Sequence, residues 1–292
     1  MLSVRSVLAV DFGGTKTAIA RVDERGGVHE RRRLPAGRTL EESVAQLAGA
    51  ARDRTRDCDA VGVVVPGIYN PGTGLAWCPN LWGPDEVPLR RALHDCLPVP
   101  AFVDSDRAGY VLGEAWLGAA RGLRHVVFVA IGTGIGVGLL ADGLVVRGAG
   151  GIAGAAGWFA LSPDWREPYA RVGCWETEAA GPGVARAAGV ADGAAVVAAA
   201  RSGDRAALEA LDRAARFTGL GIANLISAFN PEAVVLGGGF LLGAADLVID
   251  TIRAEVSRWA QPIAAAHCRI DLTQLADEAG LFGAARLALD GR

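Results

Sequence analysis

Three short stretches carry residue types able to handle phosphate and move a proton. The first is Asp11-Phe12-Gly13-Gly14-Thr15-Lys16. Glycines at 13 and 14 let backbone N–H groups approach an anion, and Thr15 and Lys16 add a hydroxyl and an ammonium. An acid ending the apolar run Val7–Asp11 is placed to hold a hydrated Mg²⁺ against phosphates. A lone glycine turn reads equally well as a plain hairpin; here the acid, the threonine and the lysine tilt it to function. Lys16 is the only lysine in the chain, in a sequence whose other long cations are all arginine.

The second stretch, Gly132-Thr133-Gly134-Ile135-Gly136-Val137-Gly138, superficially matches a dinucleotide fingerprint, but Val137 occupies the sixth position and a strand, not a helix, follows. No GxxxxGK[ST] occurs, which removes the Walker-type NTPases, and a second phosphate-cradling hairpin fits better. The third stretch, Asp104-Ser105-Asp106, lies after a strand and before a helix. One of its carboxylates can accept the proton of an attacking hydroxyl during phosphoryl transfer. A helix N-cap explains the same residues equally well.

The elements that must position these stretches repeat. Val7–Asp11 and Thr17–Val22 read as strands around the first turn, with a tight turn at Gly26-Gly27; Val126–Ile131 and Gly136–Leu140 flank the second, with a hairpin signal at Asp142-Gly143. Strand, glycine turn, strand and tight turn thus occur twice, which implies two related α/β domains clamping one phosphate chain. Between them come a helix over Leu40–Ala51, strands at Ala60–Val65 and Ala101–Val103, and helices at Leu89–Cys96 and Ala108–Leu117. The second half reads as helical over Gly183–Ala188, Gly193–Arg201, Arg205–Phe229 and Ala244–Trp259, with one strand, Ala233–Leu236, running into Gly237-Gly238-Gly239 and a closing helix within Ala276–Leu289.

Bulk properties exclude several classes. A chain of 292 residues, 51% apolar, suffices for a substantial core, and a net charge of −3 offers no footprint for nucleic acid or an anionic membrane. Arg31-Arg32-Arg33 reads as solvated surface. The five cysteines (Cys58, Cys78, Cys96, Cys174, Cys268) show no CxxC spacing and the four histidines (His29, His94, His125, His267) no metal-like grouping. MLSVRSVLAV is too short an apolar run for a signal peptide, and no stretch approaches a membrane span. The expectation is a soluble cytoplasmic protein with free thiols.

Taken together the motifs resemble those of the ROK family of sugar kinases and related repressors, along nearly the whole chain. Asp11–Lys16 resembles the family's first phosphate motif, and Gly132–Gly136 its second. Val65-Pro66-Gly67 and Pro79-Asn80-Leu81 resemble its substrate-side segments, Asp104-Ser105-Asp106 stands at its Glu-Asn-Asp, and Asn230-Pro231-Glu232 with Val235–Gly239 resembles its adenosine-side strand and glycines. The resemblance implies two ribonuclease H-like, actin-like ATPase domains around a central cleft: residues 1–117 on the acceptor side, completed by a helix in 276–292, and residues 118–275 on the nucleotide side. It implies ATP and Mg²⁺, a small sugar-like acceptor and a homodimer, with no nucleic-acid or membrane partner. By the same resemblance Asp106 is the catalytic base. Asp11 steadies Mg²⁺ through water. Gly13, Gly14, Thr15, Lys16, Gly132, Thr133 and Gly134 hold phosphate, Gly237, Gly238 and Gly239 border adenosine, and Gly67, Asn80, Ser105, Asp106 and Glu176 face the acceptor.

The chain also departs from that pattern. Ser105 replaces the sugar-binding Asn, and Gly-Glu-x-x-His has become Gly154-Ala155-Ala156-Gly157-Trp158. Of the zinc motif only Gly173-Cys174-Trp175-Glu176 remains, with Glu167 and Tyr169 at its first two cysteines, so no structural zinc is expected. Removing groups that read sugar hydroxyls changes which acceptor fits. An amino sugar such as kanosamine or a C7 cyclitol is therefore expected in place of plain glucose. Trp158 and Trp175 fit a stacking wall or core packing equally well. The alternatives are an ordinary hexose kinase and a non-catalytic ligand sensor. Direct DNA-binding repression is not expected, because family repressors carry a DNA-binding domain before the first motif and ten residues precede Asp11 here.

Overall fold

The computed structural model describes residues 5–51 and 58–291, which form two compact units. The first four residues of the N-terminal apolar segment and the last residue of the expected C-terminal helix range lie outside the described residues. One unit comprises Met1–Gly122, Val145–Ala153 and Asp277–Arg292; the other comprises Leu123–Leu144 and Gly154–Ala276.

The first unit opens with β1 (Ser6–Phe12), β2 (Lys16–Asp23), β3 (Val28–Pro35) and α1 (Leu40–Ala51), followed by β4 (Val61–Val65). Short strands β5 (Ile68–Tyr69), β6 (Ala76–Trp77) and β7 (Glu86–Val87) interleave with the single-turn α2 (Pro79–Trp82). Then come α3 (Leu89–Cys96), β8 (Ala101–Ser105) and α4 (Asp106–Leu117). The main sheet runs β3-β2-β1-β4-β8, antiparallel from β3 to β1 and parallel from β1 to β8. The Val-rich β4 is buried along its whole length, as expected of a central strand covered on both faces. Leu8, Val10, Phe12, Val61, Val63 and Leu93 anchor the core beside it.

The second unit repeats the opening with β9 (Val126–Ile131), β10 (Ile135–Ala141) and β11 (Leu144–Val145). Helices α5 (Tyr169–Val172), α6 (Cys174–Ala179), α7 (Gly181–Ala188), α8 (Gly193–Arg201) and α9 (Arg205–Phe229) follow, then β12 (Ala233–Gly237), α10 (Gly239–Trp259), α11 (Pro262–His267) and β13 (Arg269–Leu272). Its sheet runs β11-β10-β9-β12-β13, again an antiparallel hairpin followed by parallel neighbours. Asp192 and Asp204 cap α8 and α9 by accepting from the N–H groups of Ala195 and Ala207, both at 2.9 Å.

The last helix, α12 (Ala279–Asp290), belongs to the first unit and packs on α4, β1 and β4 with almost no side chain between. A Cβ on Gly283 would stand 1.9 Å from the carbonyl oxygen of Gly109, and one on Gly62 would stand 1.7 Å from that of Ala284. Small residues at these crossings let α12 lie directly on the sheet, its start at Gly280 over Asp11 near the end of β1.

Sequence expectation and structure differ in places. Helix α10 begins at Gly239, ahead of the expected Ala244, because Gly238 at φ +93° turns the chain immediately after β12. Strand β13 and short strands β5, β6 and β7 were not anticipated. No single helix among the described residues is long and apolar enough to cross a membrane.

Candidate active site

In the first unit Asp11 sits in the middle strand, paired across to Ala18 on β2 and to Val64 on β4. Its Oδ2 lies under Gly280 of α12, where a Cβ would come within 2.5 Å. The turn after β1 closes by a Gly13 N–H to Lys16 carbonyl bond of 2.9 Å, leaving Gly14, Thr15 and Lys16 exposed. Burial pushes the Asp11 carboxyl up to about 7; the Asp106 charge adds to the rise and Lys16 opposes it. Asp106 opens α4, and burial pushes it up to about 6 against the pull of Arg107 and the Tyr110 hydroxyl, which donates to its Oδ2 at 3.4 Å. Among the described residues neither carboxylate is ion-paired, and the Asp11 carboxylate is the hard oxygen donor a hydrated divalent cation would take.

The three residues of Asp104-Ser105-Asp106 divide their work. Ser105 is the N-cap of α4, its Oγ accepting from the Ala108 N–H at 3.4 Å. Asp104 is buried and accepts from Arg147 Nε at 2.6 Å, and that guanidinium counters the rise burial imposes on its carboxyl. Asp106 has neither of these duties. The capping explanation of this stretch therefore falls on Ser105 and does not account for the Asp106 carboxyl.

The acceptor-side segments converge on the same carboxylate. Gly67, at φ +146°, has no room for a side chain, since a Cβ would stand 2.2 Å from the Trp77 carbonyl oxygen and 3.3 Å from Cys78 Cα. Cys78 precedes α2, which carries Asn80; burial and the Asp106 charge push the Cys78 thiol up to about 12. Gly14 lies against the Asn80 carbonyl. The structure thus brings Asp11, Gly14, Gly67, Asn80 and Asp106 together within one unit.

Four residues around this cluster escaped sequence reasoning. Arg107 donates from Nη2 to the carbonyls of Gly67 (3.3 Å) and Gly151 (3.4 Å), joining two turns next to Asp106. Tyr110 and Arg147 are described above. Asp277, just before α12, accepts from Lys16 Nζ at 2.8 Å, and Lys16 holds its carboxyl below the usual range. Only the i,i+4 spacing of Asp106 and Tyr110 was available in the sequence; the other contacts are long-range.

In the second unit the turn after β9 is closed by the Gly132 N–H to Gly134 carbonyl bond at 3.0 Å. Gly132 and Thr133 line a cavity of about 680 Å³ together with Pro182, Ala194, Gly239 and Phe240. Gly237 and Gly238 do not line it. Their missing side chains make room for Phe128 and for the Ile131 backbone, so their part is to press the end of β12 against β9. Glu176, on α6, accepts at Oε2 from the Ile135 N–H at 2.7 Å. Trp158 is 57% exposed, whereas Trp175 is fully buried and stacks on Phe159 at 6.0 Å. Only Trp158 remains available as a wall.

Where the zinc motif would stand, the second unit has a carboxylate hub. Glu178, its side chain 5% exposed, accepts from Arg166 Nη1 (2.6 Å), the Tyr169 hydroxyl (2.5 Å) and Arg213 Nε (2.6 Å). These donors hold the carboxyl below its usual range against the effect of burial. Tyr169 occupies the position of a motif cysteine, so the hub ties the 163–174 segment to α6 and α9. Among the described residues no three His, Cys, Asp or Glu side chains group as metal ligands.

Comparison with known proteins gives a consistent picture. A family model described as "ROK family" matches residues 7–291. N-acetylmannosamine kinase of Escherichia fergusonii is 32% identical, covering 97% of this chain and 98% of its own. The crystal structure of a ROK hexokinase from Thermus thermophilus superposes with a TM-score of 0.87 at 30% identity, over 98% of both chains. That of a ROK family glucokinase from Streptomyces griseus, in complex with glucose and AMPPNP, gives 0.79 at 30% identity, over 98% of this chain and 100% of that one. The mixed α/β architecture is that of the actin/hexokinase-like ATPase fold.

Proposed function

Because this chain belongs to the ROK family, we propose that it is an ATP-dependent kinase acting on a hydroxyl of a sugar or sugar-like polyol. The observation that carries this most is the pair of raised carboxylates, Asp11 and Asp106, beside an exposed Gly-Thr-Lys turn. Asp106 accepts the proton of the acceptor hydroxyl as that oxygen attacks the γ-phosphate of ATP and the bond to the β,γ-bridging oxygen breaks, releasing ADP. Its carboxyl, poised at about 6, is largely ionised at neutral pH yet more basic than an ordinary aspartate. Arg107 keeps it so by opposing the effect of burial. Lys16, Thr15 and the N–H group of Gly14 contact phosphate oxygens, as do Thr133 and the turn Gly132–Gly134, while Gly13 closes the first turn through its own N–H. Asp11 would hold Mg²⁺ through water, and the cation would supply neutralisation of phosphate charge. The cavity lined by Thr133 and Gly239 has the volume and the mixed apolar lining suited to a nucleoside.

On the acceptor side, Gly67 and Asn80 border the substrate. We place the acceptor among sugar-like compounds other than plain glucose, an amino sugar such as kanosamine or a C7 cyclitol. Supporting this, Ala155 and the exposed Trp158 stand where hydroxyl-reading polar groups would be expected, and the Ser105 hydroxyl is engaged in capping α4. The named relatives are kinases for different sugars, so the acceptor pocket is the part free to vary.

The test is ADP release from the purified protein with Mg-ATP across glucose, mannose, N-acetylated and amino hexoses, inositols and C7 cyclitols. Turnover with a cyclitol or amino sugar but not glucose is the expected result. Efficient turnover of glucose overturns the acceptor assignment and leaves an ordinary hexose kinase; silence across the panel overturns the kinase.

A further inference from the structure

We infer that Glu176 is a positioning residue for the second glycine turn, acting on the nucleotide side by holding the Ile135 N–H. The inference rests on the kinase proposed above and assigns Glu176 a duty apart from acceptor recognition.

Three observations carry it. The Glu176 Oε2 accepts from the Ile135 N–H at 2.7 Å, the distance of a charge-assisted bond, at the residue directly after Gly132-Thr133-Gly134. Two glycines are cut to fit this carboxylate. A Cβ on Gly134 would stand 2.8 Å from Oε2, and one on Gly157 would stand 3.0 Å from the same atom. Finally, the segment carrying Glu176 grips the turn a second time, where α7 begins: the Gly181 N–H donates to the Gly132 carbonyl at 2.9 Å. The turn is therefore held at its first residue by a backbone bond and just past its last by a side chain, both from the α6–α7 segment.

Chemistry makes the arrangement informative. A carboxylate beside a phosphate-holding turn repels the ligand's charge, so its presence there needs a compensating role. Fixing the Ile135 peptide supplies one, because it sets the direction of the preceding N–H groups and of the Thr133 hydroxyl that lines the cavity. Oε1 makes no hydrogen bond to the described residues. The two oxygens can thus be tested apart: a glutamine keeps an acceptor oxygen for Ile135 but loses the charge, while an alanine loses both.

The experiment is calorimetric titration of wild type, Glu176→Gln and Glu176→Ala with AMPPNP in the absence of any acceptor. It is paired with hydrogen exchange at the Ile135 amide and a melting temperature for each protein. Glu176→Gln is expected to bind AMPPNP at least as tightly as wild type with Ile135 still protected. Glu176→Ala is expected to bind on the order of tenfold more weakly, with faster Ile135 exchange, as loss of a charge-assisted bond implies. Equal affinity and equal Ile135 protection in Glu176→Ala overturn the inference. The same holds if Glu176→Gln is as impaired as Glu176→Ala, because the charge and not the held peptide then matters. Absence of AMPPNP binding by wild type overturns the kinase proposal itself, an outcome distinct from either. Should Glu176→Ala melt below the assay temperature, Ile135 exchange in Glu176→Gln against wild type decides, and loss of protection there overturns it.

Discussion

The two strand–glycine turn–strand openings share a backbone plan and differ in charge. Around the first turn stand Asp11, Lys16, Asp106 and Asp277, with two carboxyls raised to about 7 and about 6. Around the second the cavity is lined mostly by glycines, Thr133 and apolar side chains; of its charged members Asp192 caps α8 and Arg201 pairs with Asp246, and the nearby Glu176 is occupied with a backbone N–H. A repeated scaffold has thus been used in two ways. One copy concentrates ionisable groups under a glycine-rich helix crossing, where burial raises two carboxyls as the proposed proton transfer and cation binding would require. The other offers shape, neutral donors and charged groups already engaged within the second unit. Substitutions should accordingly have large effects on rate in the first unit and small effects on binding in the second.

Apart from replacement of Asp106 itself, Asp11→Asn is expected to give the largest effect, a loss of phosphoryl transfer on the order of a hundredfold or more. It should also alter stability with a definite sign. A carboxyl raised to about 7 binds more protons folded than unfolded, so its contribution is fully present below pH 3.8 and is lost as pH rises through about 7. The melting temperature of Asp11→Asn relative to wild type should therefore be more favourable at pH 8 than at pH 5; an equal difference at both pH values removes the buried-carboxylate premise. Next in size, kcat/KM should fall about tenfold per pH unit below about 6, as the Asp106 base becomes protonated. A profile flat down to pH 5 breaks the contrast between the two turns. Thr133→Ala should weaken AMPPNP binding only about fivefold, the worth of one neutral hydrogen bond, with kcat nearly unchanged. Smallest for activity is Tyr169→Phe, which removes one of three donors to Glu178. It should cost about 1 kcal/mol of stability and leave transfer alone.

The contrast was partly legible in the sequence. Apolar runs ending in glycine turns gave β1, β2, β9, β10 and β12, because a buried strand needs contiguous Val, Ile and Leu and a tight turn needs glycine. Helices α8 and α9 were equally plain, and the structure adds an aspartate cap to each. Strand β13 was hidden because its residues are exposed or only half buried at the sheet edge and include Arg269 and Asp271, which carry no strand pattern. The start of α10 was hidden by glycines that read as a turn. Nor could local sequence reveal that Asp104 meets Arg147, that Lys16 meets Asp277, or that Glu178 gathers donors from α5, the loop before it and α9. The first two contacts and that with Arg213 join residues far apart in the chain, and charged side chains look alike in sequence whether solvated or paired.

The most direct test of the division of labour is Asp106→Asn, titrated calorimetrically with AMPPNP and assayed for phosphoryl transfer beside wild type. Transfer reduced by on the order of a thousandfold with AMPPNP affinity unchanged is the expected result. Near-normal transfer, or a parallel collapse of nucleotide binding, contradicts the assignment of Asp106 to proton transfer and not to nucleotide binding.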